Sequence, residues 1–335
     1  MAIVGASPIR GKVGFELLQN VVRFGFAGSV YPVNPKYDEV MGFRCYRSAR
    51  DIPEKVDLAV IAVPAPQVPG VVRDLCHRDA DVAVVISSGF REKGRADLEE
   101  ALVTGAADCG IRLVGPNSAG ITSSPSKLHA SIEVLPEPGR VAVVSHSGAV
   151  GGVAMYELGR LRSGVSYFVS LGNSADVGVE EVIEGLADDP FTDAVVIYVE
   201  WVRDGARFVR ALKRLAGLKP VAAIKGGWGR ASSEAVLSHT GGVAVPYEVF
   251  KAAVKQAGAA YAEDVEEAVT YVELLRKLGA GMTRASRILV VTNSGGYGIL
   301  VASHVERAGL DLAPMSEGLA ERVRVAVGKD FSGRN

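Results

Sequence analysis

The pattern that most constrains this chain is an alternation of short apolar runs with segments of helical periodicity. The runs are continuous and rich in β-branched residues, at Leu58–Val63, Val82–Ile86, Val141–Val144, Ala194–Val199 and Val221–Ile224. Such runs are typical of strands buried on both faces of a parallel sheet. Segments of helical length and spacing lie between them, at Gln67–His77, Arg95–Asp108, Ala149–Leu161 and Ala206–Leu215. The alternation predicts an α/β fold built from βαβ units.

Breaks in this rhythm predict three domains. The first, residues 1–124, starts with a short strand at Ala2–Val4 and is expected to be Rossmann-like. The stretch Ser123–Pro138 is rich in serine and proline, and we interpret it as a linker. A second sheet is expected over residues 139–279. A third strand–helix start at Ile288–Arg307 predicts a partial α/β domain over residues 286–335.

Composition excludes several classes of protein. The chain has 37 basic and 38 acidic residues, so no overall charge attracts nucleic acid or an anionic membrane. Its longest apolar stretch is interrupted by Pro64, Pro66 and Pro69, and no secretory signal is visible. The three cysteines are far apart and odd in number, which predicts reduced thiols and a cytoplasmic protein.

A glycine-rich turn follows the first predicted strand. Its residues Gly5, Ser7, Gly11 and Gly14 would let a phosphate approach the backbone at a helix N-terminus. The spacing is not that of a dinucleotide fingerprint, and the second strand is followed by Asn34 and Lys36 rather than by an acidic residue. A lysine there suits a phosphate-bearing ribose, as in NADP or coenzyme A. The alternative is a turn that serves helix–strand packing alone.

Further turns are expected at the same edge of the sheet, where ligands of open α/β folds bind. They supply the remaining candidate ligand-binding residues of the first domain: Val63, Pro64, Ser87, Gly89, Phe90 and Asn117.

The second predicted domain carries three polar segments. Ser145, Ser147 and Gly148 follow a strand and open a helix, as in an anion site, without the spacing of a hydrolase nucleophile elbow. His146 between them is a candidate base or a loop histidine with a local hydrogen bond. Glu200 ends a strand, either to orient a histidine or as a solvated terminus. His239 lies in a long glycine- and serine-rich loop, and its imidazole is either a nucleophile or an exposed surface group.

Taken together, these motifs resemble the ADP-forming acyl-CoA synthetases, the acetate–CoA ligases related to the succinyl-CoA synthetase α subunit. The resemblance runs through the whole chain, from the Gly5–Gly14 turn and Tyr31–Lys36 through Ser170–Asp176 to Ser238–Gly241. It implies a CoA-binding domain, a flavodoxin-like ligase-CoA domain and the start of a third domain. It also implies an ATP-grasp partner chain that holds ATP or ADP with magnesium, and an oligomeric enzyme.

The resemblance assigns the reaction and its residues. Acyl-CoA, phosphate and ADP would interconvert with acid, CoA and ATP through an acyl phosphate and a phosphohistidine. His239 matches the phosphohistidine, Glu200 the glutamate that orients it, and the helix start at Ser145, Ser147 and Gly148 the phosphate site. The chain departs from the family at His146, where glutamine is usual, and at Ser118-Ala119, where Cys-Leu is common, and both of its termini are shorter than typical. Two other functions stay open, a non-catalytic CoA-binding or regulatory protein and an NADP-dependent oxidoreductase.

Overall fold

The computed structural model describes residues 1–227, 246–279 and 287–327 of the 335-residue chain. The chain divides into two compact units, Met1–Lys277 and Leu278–Asn335. In the described residues, the first unit contains two large sheets and a small two-stranded hairpin, and the second contains a short strand pair with two helices. The expected α/β class is confirmed.

The first sheet has five parallel strands, as the apolar runs predict. Alternate residues of each strand pack into different cores: Ala2 and Val4 lie in one cluster, and Ile3 lies in another. Because both faces are buried, the strands need apolar residues at every position, which explains their continuous apolar sequences. The spatial order of the strands is Tyr31–Val33, Ala2–Val4, Leu58–Ile61, Val82–Val85 and Arg112–Val114.

Helices connect these strands, and a small hairpin pairs Glu39–Val40 with Phe43–Arg44. The α-helices of this part are Val13–Phe24, Val68–Cys76 and Ala96–Asp108, and the short 3-10 helices are Ala49–Asp51, Ala65–Gln67 and Arg91–Lys93.

The cysteines differ from the sequence prediction. Cys76 and Cys109 form a disulfide although they lie 33 residues apart, whereas Cys45 is free and buried. The expectation of three separate thiols is therefore wrong. Cys76 ends one helix and Cys109 follows the next, and both helices pack on the same face of the sheet through Leu75 and Leu102. Tertiary packing brings the two Cα atoms to 5.4 Å.

The second sheet has seven strands, of which the first five in spatial order are parallel. That order is Ala260–Ala262, Val221–Lys225, Ala194–Val199, Pro138–Ser145, Val165–Ser170, Gly120–Ser123 and Leu128–Ser131. Its helices are Gly148–Arg160, Val179–Ala187, Gly205–Ala216, Tyr247–Gln256 and Val265–Leu278.

The predicted linker is partly wrong, because Gly120–Ser123 and Leu128–Ser131 form an antiparallel hairpin on the edge of this second sheet. Three of its polar side chains, those of Thr122, His129 and Ser131, are buried and hydrogen-bonded. The Thr122 hydroxyl, for example, lies 2.7 Å from Nδ1 of His129, and the Ser131 hydroxyl donates to the Ala119 carbonyl. Without a continuous apolar run, the hairpin has no strand signature in the sequence.

The second unit pairs Arg287–Ile288 with Asp311–Leu312 in parallel and adds the helices Gly295–Arg307 and Glu317–Val327. Ile299 and Leu300 are largely exposed on the first of these helices, whereas Val305 is buried. Across the described residues of both units, no helix combines the length and apolar character needed to cross a membrane.

His129 should make the stability of the chain depend on pH. It is fully buried between Thr122 and the ring of Phe24, and burial lowers the pKa of His129 to about 4. Between about pH 6.5 and pH 4, His129 is therefore protonated in the unfolded chain but neutral in the folded chain. The free energy of unfolding consequently falls as the pH falls through this window. We expect His129→Gln to reduce that loss by about 2–3 kcal/mol. Urea unfolding at pH 7 and pH 4.5 measures it, with the exposed His77→Gln as the matched control. Equal pH dependence in wild type and His129→Gln would contradict the prediction.

Candidate functional site

The glycine turn after the first strand brings a helix start against the strand ends. Gly5 has a φ of +93°, and a side chain on it would collide with the carbonyl oxygen of Ala62. Gly14, in the first turn of the helix Val13–Phe24, lies so close to Gly5 that a Cβ atom would overlap the Gly5 carbonyl. Both positions therefore require glycine because backbones meet there. The approach places the helix N-terminus, with its free amides, at the carboxyl edge of the sheet.

Polar groups of this turn are partly engaged within the turn itself. The Ser7 hydroxyl accepts a hydrogen bond from the Ile9 amide at 3.2 Å. The Gly11 amide donates to the carboxylate of Glu16 at 3.2 Å, in an exposed position. A carboxylate thus already contacts the segment predicted to hold a phosphate, which is consistent with an anion-binding turn.

Asn34 and Lys36 take different places. The Asn34 amide group donates to the Ala6 carbonyl at 2.8 Å, and its oxygen accepts from the Lys36 amide at 3.0 Å. Asn34 therefore ties the end of the second strand to the glycine turn. The Lys36 side chain is exposed, and among the described residues no carboxylate pairs with it.

A cleft of about 500 Å³ lies at this edge of the first sheet. Five of the predicted site residues line it: Val63, Pro64, Ser87 and Asn117 of the first domain, and Gly148 at the start of a helix beside the second sheet. The remaining lining residues are Val13, Ala62, Ile86, Ser88, Ser118, Ala119 and Ile132. The cleft thus joins the predicted binding edge of the first domain to a helix start of the second.

Phe90 stands apart from the other predicted ligand-binding residues, because its side chain is fully buried in a core of the first sheet and does not line the cleft. The amides of Gly89 and Phe90 both donate to the carboxylate of Glu92. Burial alone would favour the neutral acid, but these amides and Asn173 hold the pKa of Glu92 below its usual value. The charged carboxylate of Glu92 therefore engages the main-chain amides of Gly89 and Phe90.

The segment Ser170–Asp176, which follows a strand of the second sheet, forms hydrogen bonds with residues at the rim of the cleft. The Asn173 amide group donates to Glu92 at 2.7 Å and to the buried Glu99 at 2.9 Å, and its oxygen accepts from Asn117. The Ser118 hydroxyl donates to the Ser170 carbonyl at 2.6 Å. Sequence reasoning missed Glu92, Glu99 and Asn173 as contributors to this rim, because such contacts between distant segments leave no local pattern.

The serines before the helix Gly148–Arg160 shape its start. Ser145 is fully buried, and its hydroxyl donates to the Ser147 carbonyl. Ser147 is the N-cap, with its hydroxyl accepting from the Val150 amide at 3.4 Å. Gly148 lines the cleft, and a Cβ atom there would overlap Ala119. Of the three predicted phosphate-binding residues, Gly148 is therefore the one that borders the cleft.

Glu200 belongs to a buried polar cluster at the carboxyl edge of the second sheet. It follows the strand Ala194–Val199 and is 8% exposed. The Lys225 ammonium donates to the Glu200 carbonyl at 2.8 Å, and burial lowers the pKa of Lys225. Burial and the Glu200 carboxylate together raise the pKa of Tyr198. The cluster lies where the chain leaves the sheet, since the Gly226 amide donates to the Val199 carbonyl.

His239, the predicted nucleophile, lies outside the described residues. Within the part of the chain that is described, no group of three or more His, Cys, Asp or Glu residues could hold a metal ion.

Two protein-family models match consecutive parts of the chain. A CoA binding domain matches residues 1–124, and a succinyl-CoA ligase like flavodoxin domain matches residues 138–275. The fold and the cleft between these parts accordingly define a CoA-binding protein of the succinyl-CoA ligase type.

Similar proteins narrow the class. ADP-forming acetate–CoA ligase II subunit alpha of Pyrococcus furiosus is 35% identical over 97% of this chain and 70% of its own length. ADP-forming acetate–CoA ligase I of Archaeoglobus fulgidus is 42% identical over 93% of this chain, which spans 45% of that protein. A solved structure, the dinucleotide forming acetyl-coenzyme A synthetase 1 of Ca. Korarchaeum cryptofilum in complex with phosphate and ADP, superposes with a TM-score of 0.86. It is 36% identical, and the match covers 97% of this chain and 70% of that one. The chain belongs to the family of ADP-forming acetate–CoA ligases, as its motifs predict.

Proposed function

We propose that this chain is the α-subunit-like part of an ADP-forming acid–CoA ligase. The observation that carries the proposal is the cleft that runs from Val63, Ser87 and Asn117 to Gly148. It places the carboxyl edge of a CoA-binding domain next to the N-terminus of a 13-residue helix, a favourable position for a phosphate. A thioester and an attacking phosphate can thus share one space.

The proposed reaction proceeds in three steps. A phosphate oxygen attacks the thioester carbonyl, and the CoA thiolate leaves to give an acyl phosphate. The imidazole of His239 then attacks phosphorus, the acid leaves as its carboxylate, and phosphohistidine forms. Glu200 would accept a hydrogen bond from the Nδ1–H group and leave Nε2 unprotonated as the nucleophile, in the way that a carboxylate orients a histidine. Finally, ADP takes the phosphoryl group.

The nucleotide step is assigned to a partner. We propose an ATP-grasp β subunit that holds ADP or ATP with magnesium, so that the working enzyme is a cytoplasmic oligomer. Two of the relatives are themselves called alpha subunits, and this chain has no Gly-x4-Gly-Lys-Ser/Thr loop for a nucleotide.

The test is to incubate the purified chain with acetyl-CoA and labelled phosphate. We expect acid-labile, base-stable phosphate on the protein, and no ATP from added ADP until an ATP-grasp subunit is supplied. ATP synthesis by the chain alone would contradict the assignment of the nucleotide to a partner. Binding of CoA without phosphate uptake would favour the non-catalytic CoA-binding function instead. An NADP-dependent oxidoreductase has lost its support, because residues 1–124 match a CoA binding domain.

Charge reversal at Lys36 tests where CoA binds. We expect Lys36→Glu to weaken CoA binding at low salt by roughly ten- to a hundred-fold, the size of a charge-assisted phosphate contact. Isothermal titration measures the affinity. Lys213→Glu, at an exposed lysine on a helix of the second sheet, changes the net charge equally and should have little effect. Unchanged CoA affinity in Lys36→Glu would remove the lysine from the site.

A further inference from the structure

The polar cluster around Glu200 contains two side chains that the proposed reaction does not yet use, those of Tyr198 and Lys225. The strand Ala194–Val199 pairs in parallel with the strand Val221–Lys225. Glu200 and Gly226 are the next residues after these two strands, so they lie side by side at the carboxyl edge of the sheet. Glu200 is 8% exposed and Lys225 is 5% exposed, so both charged residues are largely removed from water.

The Tyr198 hydroxyl lies against the Glu200 side chain. Residues two apart on a strand point to the same face of the sheet, which places Tyr198 and Glu200 together. Gly226 adjoins both, because a Cβ atom there would overlap the Tyr198 hydroxyl and crowd Cγ of Glu200. The hydroxyl donates a hydrogen bond to the Glu200 carboxylate, and burial together with that carboxylate raises the pKa of Tyr198. The missing side chain of Gly226 therefore leaves the space in which the phenol and the carboxylate meet.

Lys225 brings a positive charge to the same carboxylate. Its ammonium donates to the main-chain carbonyl of Glu200 at 2.8 Å and to the carbonyl of Gly226. Carbonyl oxygens accept hydrogen bonds but carry no net charge, so these contacts hold the ammonium in place without neutralising it. Burial lowers the pKa of Lys225, and the negative charge of Glu200 opposes that shift. The attraction is mutual, so the ammonium favours an ionised Glu200 where burial alone would favour the neutral acid.

Two further titratable groups lie at this end of the sheet. His146 follows the neighbouring strand Pro138–Ser145, and burial lowers the pKa of His146 to about 4, so its ring is neutral near pH 7. Arg203 follows Glu200 by three residues, and its guanidinium donates to the carbonyls of two residues after another strand, Ser174 and Asp176. Lys225 differs from both, because its charge is bonded to the main chain of Glu200 itself.

Lys219 provides a comparison within the same sheet. It precedes the amino end of the strand Val221–Lys225, and its ammonium donates to the carbonyls of Leu186 at 2.7 Å and Asp189 at 2.6 Å. Burial lowers the pKa of Lys219 as well. Lys219 thus makes the same kind of main-chain contacts as Lys225, but at the opposite edge of the sheet from Glu200.

We propose that Lys225 and Tyr198 are positioning residues of Glu200, in which the ammonium keeps the carboxylate ionised and the phenol holds it in one orientation. The inference rests on the proposed function, in which Glu200 accepts a hydrogen bond from the Nδ1–H group of His239. An ionised carboxylate is a much stronger acceptor than a protonated one. Lys225 and Tyr198 would therefore influence phosphorylation through Glu200, without contact to the reacting atoms.

The first test is the pH dependence of phosphorylation of the full chain by acetyl-CoA and labelled phosphate. Lys225→Met keeps an unbranched side chain and removes the charge, so Glu200 should keep its proton to a higher pH. We expect the acid limb of the rate to move up by about one pH unit, at the lower end of the effect of a nearby opposite charge. Lys225→Arg retains the charge and should restore the wild-type limb, and Lys219→Met should leave it in place. Free phosphate titrates alike in all variants, so differences between variants report on the protein.

Tyr198→Phe tests the second positioning residue, because it removes the hydroxyl alone. Phosphorylation at pH 7 should slow by roughly ten-fold, as expected for the loss of one hydrogen bond to a charged group. The affinity for acetyl-CoA, measured by isothermal titration, should not change. Tyr167→Phe is the matched control, since it removes a hydroxyl that donates to Asp189 elsewhere on the same sheet. Equal rates in Tyr198→Phe and Tyr167→Phe would remove Tyr198 from this role.

The carbon-13 resonance of the Glu200 carboxyl group gives a readout that does not depend on the reaction. Its assignment follows from its loss in Glu200→Gln. The pH midpoint of this resonance should rise in Lys225→Met and stay unchanged in Lys219→Met. An unchanged midpoint in Lys225→Met would overturn the inference, and so would a raised midpoint with an unmoved acid limb. Absence of phosphate uptake by the wild-type chain would instead refute the proposed function, and the Glu200 resonance would still decide whether Lys225 keeps the carboxylate ionised.

Discussion

Replacing His239 with alanine is expected to reduce phosphorylation of the chain by acetyl-CoA and labelled phosphate to background. The acyl phosphate would still form, but no other side chain is proposed to accept the phosphoryl group, so the covalent intermediate is lost entirely. Label on the protein after alkaline gel separation measures this. The exposed His77→Ala is the matched control and should be phosphorylated normally.

Glu200→Gln refines the same prediction. An amide oxygen accepts a hydrogen bond from the Nδ1–H group of His239 more weakly than a carboxylate does. Phosphorylation should therefore slow by roughly ten- to a hundred-fold rather than disappear. Label recovered on His146 in the His239→Ala variant would contradict the assignment.

Gly14→Ala is expected to destabilise the first domain strongly. The new Cβ would overlap the Gly5 carbonyl, and neither atom can move without separating the helix Val13–Phe24 from the strand ends. We expect a loss of about 3 kcal/mol or more, at the upper end of overpacking costs, together with loss of CoA binding. Thermal unfolding and isothermal titration report the two effects.

The chain offers a matched control at Gly105. This glycine also lies within a helix, Ala96–Asp108, but a Cβ atom there would meet nothing within 4 Å. Gly105→Ala should therefore stabilise the domain by about 0.5–1 kcal/mol, because alanine restricts the unfolded chain. If Gly14→Ala were as stable as Gly105→Ala, the close approach of helix and turn would be wrong.

Several features of the candidate site could be predicted because they are local. The glycine turn, the lysine after the second strand and the serine-rich helix start each depend on residues that are neighbours in sequence. Parallel strands then bring their carboxyl ends to one edge whatever the loops contain. For that reason Val63, Pro64, Ser87 and Asn117 could be expected to converge, and the cleft contains all four.

Phe90 shows where such reasoning stops. A residue after a strand end is near the binding edge in any α/β fold, but its side chain can turn toward the ligand or into the core. Here the core has room for the ring, and Glu92 takes the adjacent amides. Neither fact can be read from the order of residues.

The fold class could be predicted from the sequence alone, because strands buried on both faces need continuous apolar runs and amphipathic helices need periodic ones. The family could be predicted as well, because the glycine, proline and serine motifs resemble those of the acyl-CoA synthetases in the same order. Contacts between distant residues became visible only in the folded structure. The Cys76–Cys109 disulfide, the pairing of the hairpin Gly120–Ser131 with the strand Val165–Ser170, and the contact between the His146 and Trp201 rings all arise from packing between segments far apart in the chain. Such contacts depend on the shape of the assembled core, and no local pattern of residues encodes them.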